Sequence, residues 1–471
     1  MTGKAQCAVI LHVLPGSTRE SCIYGFSVLV AVCLRTAGAF ASRRTGSGPR
    51  QRILMITFQR HSGVMHCEGV SLERIAKVHG TPCYVYSQSA IEDALGAYQA
   101  ALGDAPHLIC YAVKANSNLA ILNVLAKRGA GFDVVSLGEL ERVVLAGGDP
   151  TRVVFSGVGK TVLEIERALA LGIRCFNVES EAELSAIADT AQRLEKIAPI
   201  SIRVNPDVDA GTHPYISTGL RENKFGVDIA TARRLYRFAA EHAALDPVGI
   251  DCHIGSQILD VAPFEQSIDC LLGLLGELTA SGIALRHLDL GGGLGVSYQT
   301  DAPTINEYIG VIRDKLAGCS LELILEPGRS IVALAGVLLT KTLFLKQTEQ
   351  HHFAIVDAAM NDLLRPALYG AWQDIQAVTP REGVAHDWDI VGPVCETADF
   401  LGKQRSLVLQ EGDLLAVMGA GAYGFAMASS YNSRPRVAEV LVKGNDMHLI
   451  GERETLSDLW ARERIPNEAA S

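Results

Sequence analysis

Between about residues 105 and 330, short β-branched runs alternate with amphipathic stretches, and the alternation repeats until eight strand-like runs have passed. They end at Val113, Val135, Phe155, Val178, Val204, Ile254, Leu290 and Leu325. Parallel neighbours need a crossover between them, and a helix is the usual one. Eight such units in roughly 225 residues predict an α/β protein built on a (β/α)8 TIM barrel, slightly compact for its class. Helix starts support the spacing. Ser136, Thr161 and Ser180 are each followed three residues later by Glu139, Glu164 and Glu183, the pattern of a reciprocal capping box. Gly129, Gly147 and Gly172 stand where helices should close, because glycine adopts the left-handed end conformation without penalty. A doubly wound open sheet is the rival. It would carry a glycine-rich turn after its first strand, and Lys114-Ala-Asn-Ser-Asn118 is not one.

Beyond about residue 335 the alternation stops, and strands and turns follow: Val337 to Leu345, Phe353 to Asp357, Asp389 to Val391, Leu414 to Met418 and Val437 to Val442. This pattern predicts an all-β C-terminal domain, a barrel or sandwich. The expected organisation is a barrel over 91–334 and a β domain over 335–471. Residues 65–90, with Cys83-Tyr-Val-Tyr-Ser87, are expected to supply strands that join the β domain.

Residues 1–64 differ in character and are expected to lie outside the fold. The apolar run from Ile23 to Leu34 is too short to span a bilayer. Ala39-Phe40-Ala41 resembles a signal cleavage site, but Glu20 sits close to the apolar run. An extension upstream of a working initiator at Met55 is the preferred reading. The net charge of -10, without a basic stripe, excludes nucleic-acid binding as an expectation. Eleven cysteines are scattered with no Cys-x-x-Cys pair, so neither a disulfide framework nor a metal site is expected, and a reducing cytoplasm fits best.

In a barrel of this kind the active site forms at the carboxyl ends of the strands. The polar residues there are Lys114, Asp133, Ser136, Ser156, Glu179, Arg203, Asn205, His253, Ser256, the run Gly291, Gly292, Gly293, and Glu326 with Arg329. Each has an ordinary alternative: a solvated loop lysine, a helix-capping serine, a core histidine, a glycine turn, an ion-paired corner. Together they suit one cofactor. A lysine amine forms Schiff bases with aldehydes, glycine amides approach a phosphate closely, an imidazole gives a face to stack on, and a carboxylate keeps a pyridine nitrogen protonated. That combination suggests pyridoxal 5'-phosphate.

The motifs Tyr111-Ala-Val-Lys-Ala-Asn116, His253-Ile-Gly-Ser-Gln257, Gly291-Gly-Gly-Leu-Gly295 and Glu326-Pro-Gly-Arg329 resemble the alanine-racemase-type pyridoxal-phosphate enzymes, which join a barrel to a β domain. Within that group the chain resembles the diaminopimelate decarboxylases. The segments that carry this are His213 to Gly219, Asn223 to Gly226, Met360 to Tyr369, Gly392 to Asp399 and Gly419 to Tyr423. The resemblance implies that Lys114 holds the cofactor as a Schiff base, His253 stacks on its ring and Glu326 pairs with the ring nitrogen. Ser256, Gly291 to Gly293, Pro327, Gly328 and Arg329 would surround the phosphate end. Arg329, Arg365, Tyr369 and Glu396 would bind substrate, Tyr423 would touch both cofactor and substrate, and Cys395 would donate the proton. It also implies a homodimer in which Cys395 and Glu396 enter the partner's site. The implied reaction is decarboxylation of meso-2,6-diaminopimelate at its D-centre to L-lysine and carbon dioxide. Ala359 and Gly370-Ala-Trp372 depart from the family pattern, at positions without a named role. Decarboxylation of ornithine or arginine, and a non-catalytic regulatory homologue, are the competing readings.

Overall fold

The computed structural model describes residues 57–211, 218, 224–349 and 351–466, and in it the β-branched runs form a closed parallel barrel. Its strands are His107–Ala112, Gly131–Val134, Val153–Phe155, Cys175–Val178, Ala198–Arg203, Leu245–Asp251, His287–Asp289 and Glu322–Leu325. Closure comes from the last strand pairing with the first, Leu323 opposite His107 and Leu325 opposite Ile109. Side chains alternate in and out along each strand. Phe132, Phe155, Phe176, Ile202, Ile250 and Leu288 pack outward against the helices, while Leu108, Cys110, Val154, Cys175, Val248 and Ile324 fill a separate apolar cluster inside.

Local chemistry explains the connections. Gly129, Gly147 and Gly172 all take positive φ after their helices. Thr161 and Glu164 form the full reciprocal capping box, as do Thr304 and Glu307. Ser136 and Ser180 cap differently from the expected box. Their hydroxyls accept from the amides of Glu139 and Glu183, but the glutamates reach one residue further back, to the amides of Val135 and Glu179. Both serines are fully extended, φ -158° and -161°, which turns their own N–H away from the helix and presents the preceding one. The sixth strand also closes early. The pattern carries it to Ile254, yet it ends at Asp251, because the carbonyl of His253 is taken by the Thr218 hydroxyl at 2.7 Å instead of by a strand neighbour.

The C-terminal strands build a mixed sheet around Gly336–Gln347, which pairs with Cys83–Ser87, His352–Val356 and Leu414–Val417. Cys83–Ser87 lies between it and Ala438–Lys443 and is buried on both faces. Its alternation joins two cores: Cys83 and Val85 face one with Val337, Leu339, Val440 and Val442, and Tyr84 and Tyr86 face the barrel side. Ile375–Ala377, Phe400–Leu407 and Asp446–Gly451 are further strands. The last two are half exposed and lack a regular apolar alternation, so their sequence carries little strand signal.

Structure begins ahead of residue 65. Phe58–His61 pairs with Val64–Cys67, and Phe58 is buried in the core that holds Val85 and Val337. The rest of the amino-terminal extension, with the apolar run and Met55, lies outside the described residues, as do His213 to Ser217 and Gly219 to Asn223. No helix among the described residues is long and apolar enough to cross a membrane.

Candidate active site

A 3-10 turn, Val113–Ala115, ends the first barrel strand and presents Lys114 to the barrel mouth. Its amine is ion-paired with Asp133 on the second strand, and its side chain is 36% exposed. Burial alone would push the amine down, but Asp133 and then Glu326 outweigh it and hold it above the ordinary lysine value.

Glu326, at the end of the eighth strand, accepts from Asn177 Nδ2 at 3.2 Å and from Ser156 Oγ at 3.5 Å. Burial first, then the carboxylates of Asp133 and Asp289, push its carboxyl well above the usual range. His253 Nδ1 accepts from the Gly292 amide at 3.1 Å, which leaves the ring proton on Nε2. Burial, then Arg203 and Lys114, keep this imidazole neutral by pushing it well below the usual histidine value.

The glycine run is required by packing. A Cβ on Gly291, Gly292 or Gly293 would meet the carbonyl oxygen of Cys252 at 2.6 Å, of Glu326 at 2.2 Å or of Gly255 at 2.5 Å, and Gly291 and Gly293 have φ of +64° and +111°. Two of the three amides are already engaged, Gly291 with Asp289 Oδ1 at 2.9 Å and Gly292 with His253. Gly293 is the member that lines the cavity.

That cavity, about 410 Å³, is lined by Lys114, His253, Ser256, Gly293, Glu326, Gly328, Arg329, Arg365, Tyr369 and Tyr423, together with Tyr298, Trp372 and Thr218. Arg329 donates to Ser256 Oγ at 2.8 Å and stacks on the Tyr423 ring at 4.8 Å. Tyr423 takes φ +55°, an uncommon conformation for a bulky residue, held by its amide donating to the Ala115 carbonyl at 2.8 Å. Arg365 stacks on Tyr298 at 4.8 Å. The buried Gln373 amide, oriented to accept from Arg365 Nη1 at 2.7 Å and donate to the Met418 carbonyl at 2.6 Å, fixes that guanidinium.

Residues 88–333 match the family model described as pyridoxal-dependent decarboxylase, pyridoxal binding domain. The chain is 59% identical to the diaminopimelate decarboxylase of Vibrio cholerae, over 86% of this chain and 98% of that protein. Its identity to the Pseudomonas aeruginosa enzyme is 58%, over 87% and 99%. The chain belongs to the diaminopimelate decarboxylase family. Among solved structures, the Helicobacter pylori diaminopimelate decarboxylase complexed with L-lysine matches with TM-score 0.81 and 47% identity, covering 83% of this chain and 98% of that one.

The residues present fit the cofactor of this family. Lys114, the neutral His253 face and Glu326 share one cavity, a side chain cannot be added to the glycine loop beside it, and Arg329 Nε is buried without an acceptor. Several candidates lie elsewhere. Ser136 caps its helix, Glu179 pairs with Arg203 at 3.0 Å, and Asn205 accepts from the Asp207 amide at 3.0 Å. Pro327 sits behind the cavity, its carbonyl accepting from the Ala112 amide at 3.2 Å. Cys395 and Glu396 are exposed in the turns after His386–Val391, where the Cys395 amide donates to Asn432 Oδ1 at 2.8 Å; neither lines this family member's own cavity.

Tyr298 and Trp372 line the cavity without having been marked as site residues by the sequence. Tyr298 follows the glycine run as an isolated aromatic. Trp372 lies in the segment that departs from the family pattern, yet it lines the cavity and carries the Arg405 guanidinium at 3.3 Å.

Proposed function

We propose that the chain decarboxylates meso-2,6-diaminopimelate at its D-centre to L-lysine and carbon dioxide, the last step of lysine biosynthesis, with pyridoxal 5'-phosphate held by Lys114. The carrying observation is that one cavity joins Lys114 and Glu326 to two buried arginines, Arg329 and Arg365. Lys114 provides the amine, His253 the face, and Glu326 the carboxylate at the ring nitrogen, while Ser256, Gly293 and Gly328 enclose the phosphate end. Bound there, pyridoxal phosphate supplies the electron sink that decarboxylation needs.

The remaining work belongs to the chain. Diaminopimelate carries a remote carboxylate, and guanidinium forks are the side chains that read one by paired hydrogen bonds. Arg329 and Arg365 take that role, with Tyr369 and Tyr423 closing the wall. The chain functions as a homodimer in which Cys395 and Glu396 of each subunit complete the other's cavity. Their exposure in the single chain supports this. Glu396 then meets the substrate's remote ammonium, and the Cys395 thiol delivers a proton to the carbon that lost carbon dioxide. The cytoplasm suits the free thiols of Cys67, Cys83, Cys110, Cys175, Cys252, Cys270, Cys319 and Cys395.

The test is a product assay with added pyridoxal phosphate across the diaminopimelate isomers, ornithine and arginine. L-Lysine from the meso isomer alone is expected. Turnover of ornithine without turnover of diaminopimelate would reject the assignment, and no turnover of any substrate would favour a non-catalytic homologue.

A further inference from the structure

Below the cavity the barrel interior is polar. Asp133, Asn177, Arg203, Asp251, Asp289 and Glu326 are buried there, each next in sequence to a residue that packs outward on the helices: Phe132, Phe176, Ile202, Ile250, Leu288 and Leu325. Most of the interior charges pair off. Lys114 is paired with Asp133. Arg203 lies 3.0 Å from Glu179 and 3.9 Å from Asp251. Asp289 and Glu326 are left, and among the described residues neither has a cationic partner within salt-bridge distance. Nothing else in the layer supplies one. His287, two positions before Asp289, is neutral, pushed down to about 3 chiefly by burial, and burial keeps the Cys110 and Cys175 thiols protonated.

The two carboxyls nevertheless lie close together. One oxygen each of Asp251, Asp289 and Glu326 lie within 4.8 Å of one another, and Asp289 is within hydrogen-bonding reach of Glu326. Asp289 Oδ1 accepts from the Gly291 amide. Its Oδ2 is fully buried and has no donor. Two carboxylate oxygens repel unless a proton lies between them, and burying an unpaired charge of this kind is strongly disfavoured.

We propose that Asp289 and Glu326 share one proton, which makes Asp289 a positioning residue for the carboxyl that meets the cofactor's ring nitrogen. The second clause rests on the assignment of Glu326 under the proposed function; the shared proton does not. The pair then carries one negative charge, which balances one proton on the ring nitrogen. A proton shared with Asp289 makes Glu326 a weaker base, so the ring keeps its own. Burial pushes both carboxyls up, Asp289 to about 7 and Glu326 well above the usual range, which agrees with one proton held between them.

The test is infrared difference spectroscopy of the full chain at mildly acidic pH, with and without bound pyridoxal phosphate. A protonated-carboxyl stretch that moves in heavy water is expected in both forms. It should be displaced or lost in Asp289→Asn, which keeps shape and a donor, and in Glu326→Gln, since each removes one of the two carboxyls that share it. Asp289→Asn should keep the wild-type cofactor absorbance across pH, whereas Asp289→Ala should displace its pH dependence and lower kcat more than it changes KM. A stretch unchanged in both Asp289→Asn and Glu326→Gln would overturn the proposal, as would a divalent cation bound at one equivalent. If Asp289→Asn does not fold, Glu326→Gln reads the same band. Because the band is present before loading, a chain that bound no cofactor would reject the proposed function and leave the proton pair testable.

Discussion

The Lys114 amine and the Asp133 carboxylate form a closed ion pair at the mouth of the barrel. Only a neutral amine attacks an aldehyde, and the pair holds Lys114 protonated, above the ordinary lysine value against the pull of burial. Capture of pyridoxal phosphate by the unloaded protein should therefore accelerate with pH, about tenfold per unit through the neutral range, where the neutral fraction of a high-pKa amine rises in proportion. Asp133→Asn removes the raising charge. Capture should then be faster at neutral pH and its profile displaced to lower pH, as read by stopped-flow absorbance. A profile superimposable on the wild type would remove Asp133 from the control of this amine.

Tyr298 joins the two arginines of the cavity. Its hydroxyl is 3.5 Å from Arg329 Nη1 and its ring carries Arg365 at 4.8 Å. Burial opposes ionisation of the phenol, but Arg365 and Arg329 overcome it and lower its pKa from the usual 10.0. The sign follows directly. As pH rises through the lowered pKa, a phenolate forms and competes for the guanidiniums proposed to read the substrate's carboxylate, so KM should climb on the alkaline side earlier than an ordinary tyrosine would cause. Tyr298→Phe keeps the ring, should abolish that alkaline limb, and should raise KM about two- to tenfold at neutral pH, the range of one modest hydrogen bond. KM-against-pH curves of the two proteins check this.

The barrel and most of its mouth are legible in the sequence because two signals coincide there, the period-two strands and the polar residues just past them. Lys114 and Glu326 follow, and His253 sits one residue inside, runs whose ends the pattern places within three residues of the observed ones. The layer one step lower is not legible that way. Asn177 and Asp289 sit within strands that read as apolar, and Asp251 ends its strand three residues before the point the pattern marks. Only the closed geometry turns them toward Glu326. Tyr298 and Gln373 are hidden for another reason: each matters through an arginine distant in sequence, and no local periodicity records such a pairing.

Arg365 is fixed from two sides, by the Tyr298 ring and the Gln373 amide. A lysine there keeps the charge but loses the planar fork and the stacking surface. Arg365→Lys should weaken diaminopimelate binding about 10- to 100-fold, as expected when a charge-assisted hydrogen bond worth roughly 1.5–3 kcal/mol is lost. The cofactor absorbance should be unchanged, since Arg365 is not among the groups assigned to the cofactor. Lysine, the product, keeps the remote carboxylate and lacks only the one lost at the D-centre, so its affinity should fall as well; an unchanged affinity for lysine would show that Arg365 reads the departing carboxylate instead.

Cys395 and Glu396 give the sharpest test of assembly, because they are exposed and stand apart from the cavity of their own chain. If each site takes Lys114 from one subunit and Cys395 from the other, Lys114→Ala and Cys395→Ala are each inactive or severely slowed as homodimers. Mixed and allowed to exchange subunits, they form hybrids in which one site carries both defects and the other carries neither. Random pairing makes half of the dimers hybrid, so activity should recover to about a quarter of the wild-type level in a two-fold dimer. Sites built within one chain would yield no intact site in any combination, and the mixture would stay as slow as its components. The amount recovered after exchange, measured as L-lysine formed, decides between a site shared across subunits and one completed by movement of the Cys395 turn within its own chain.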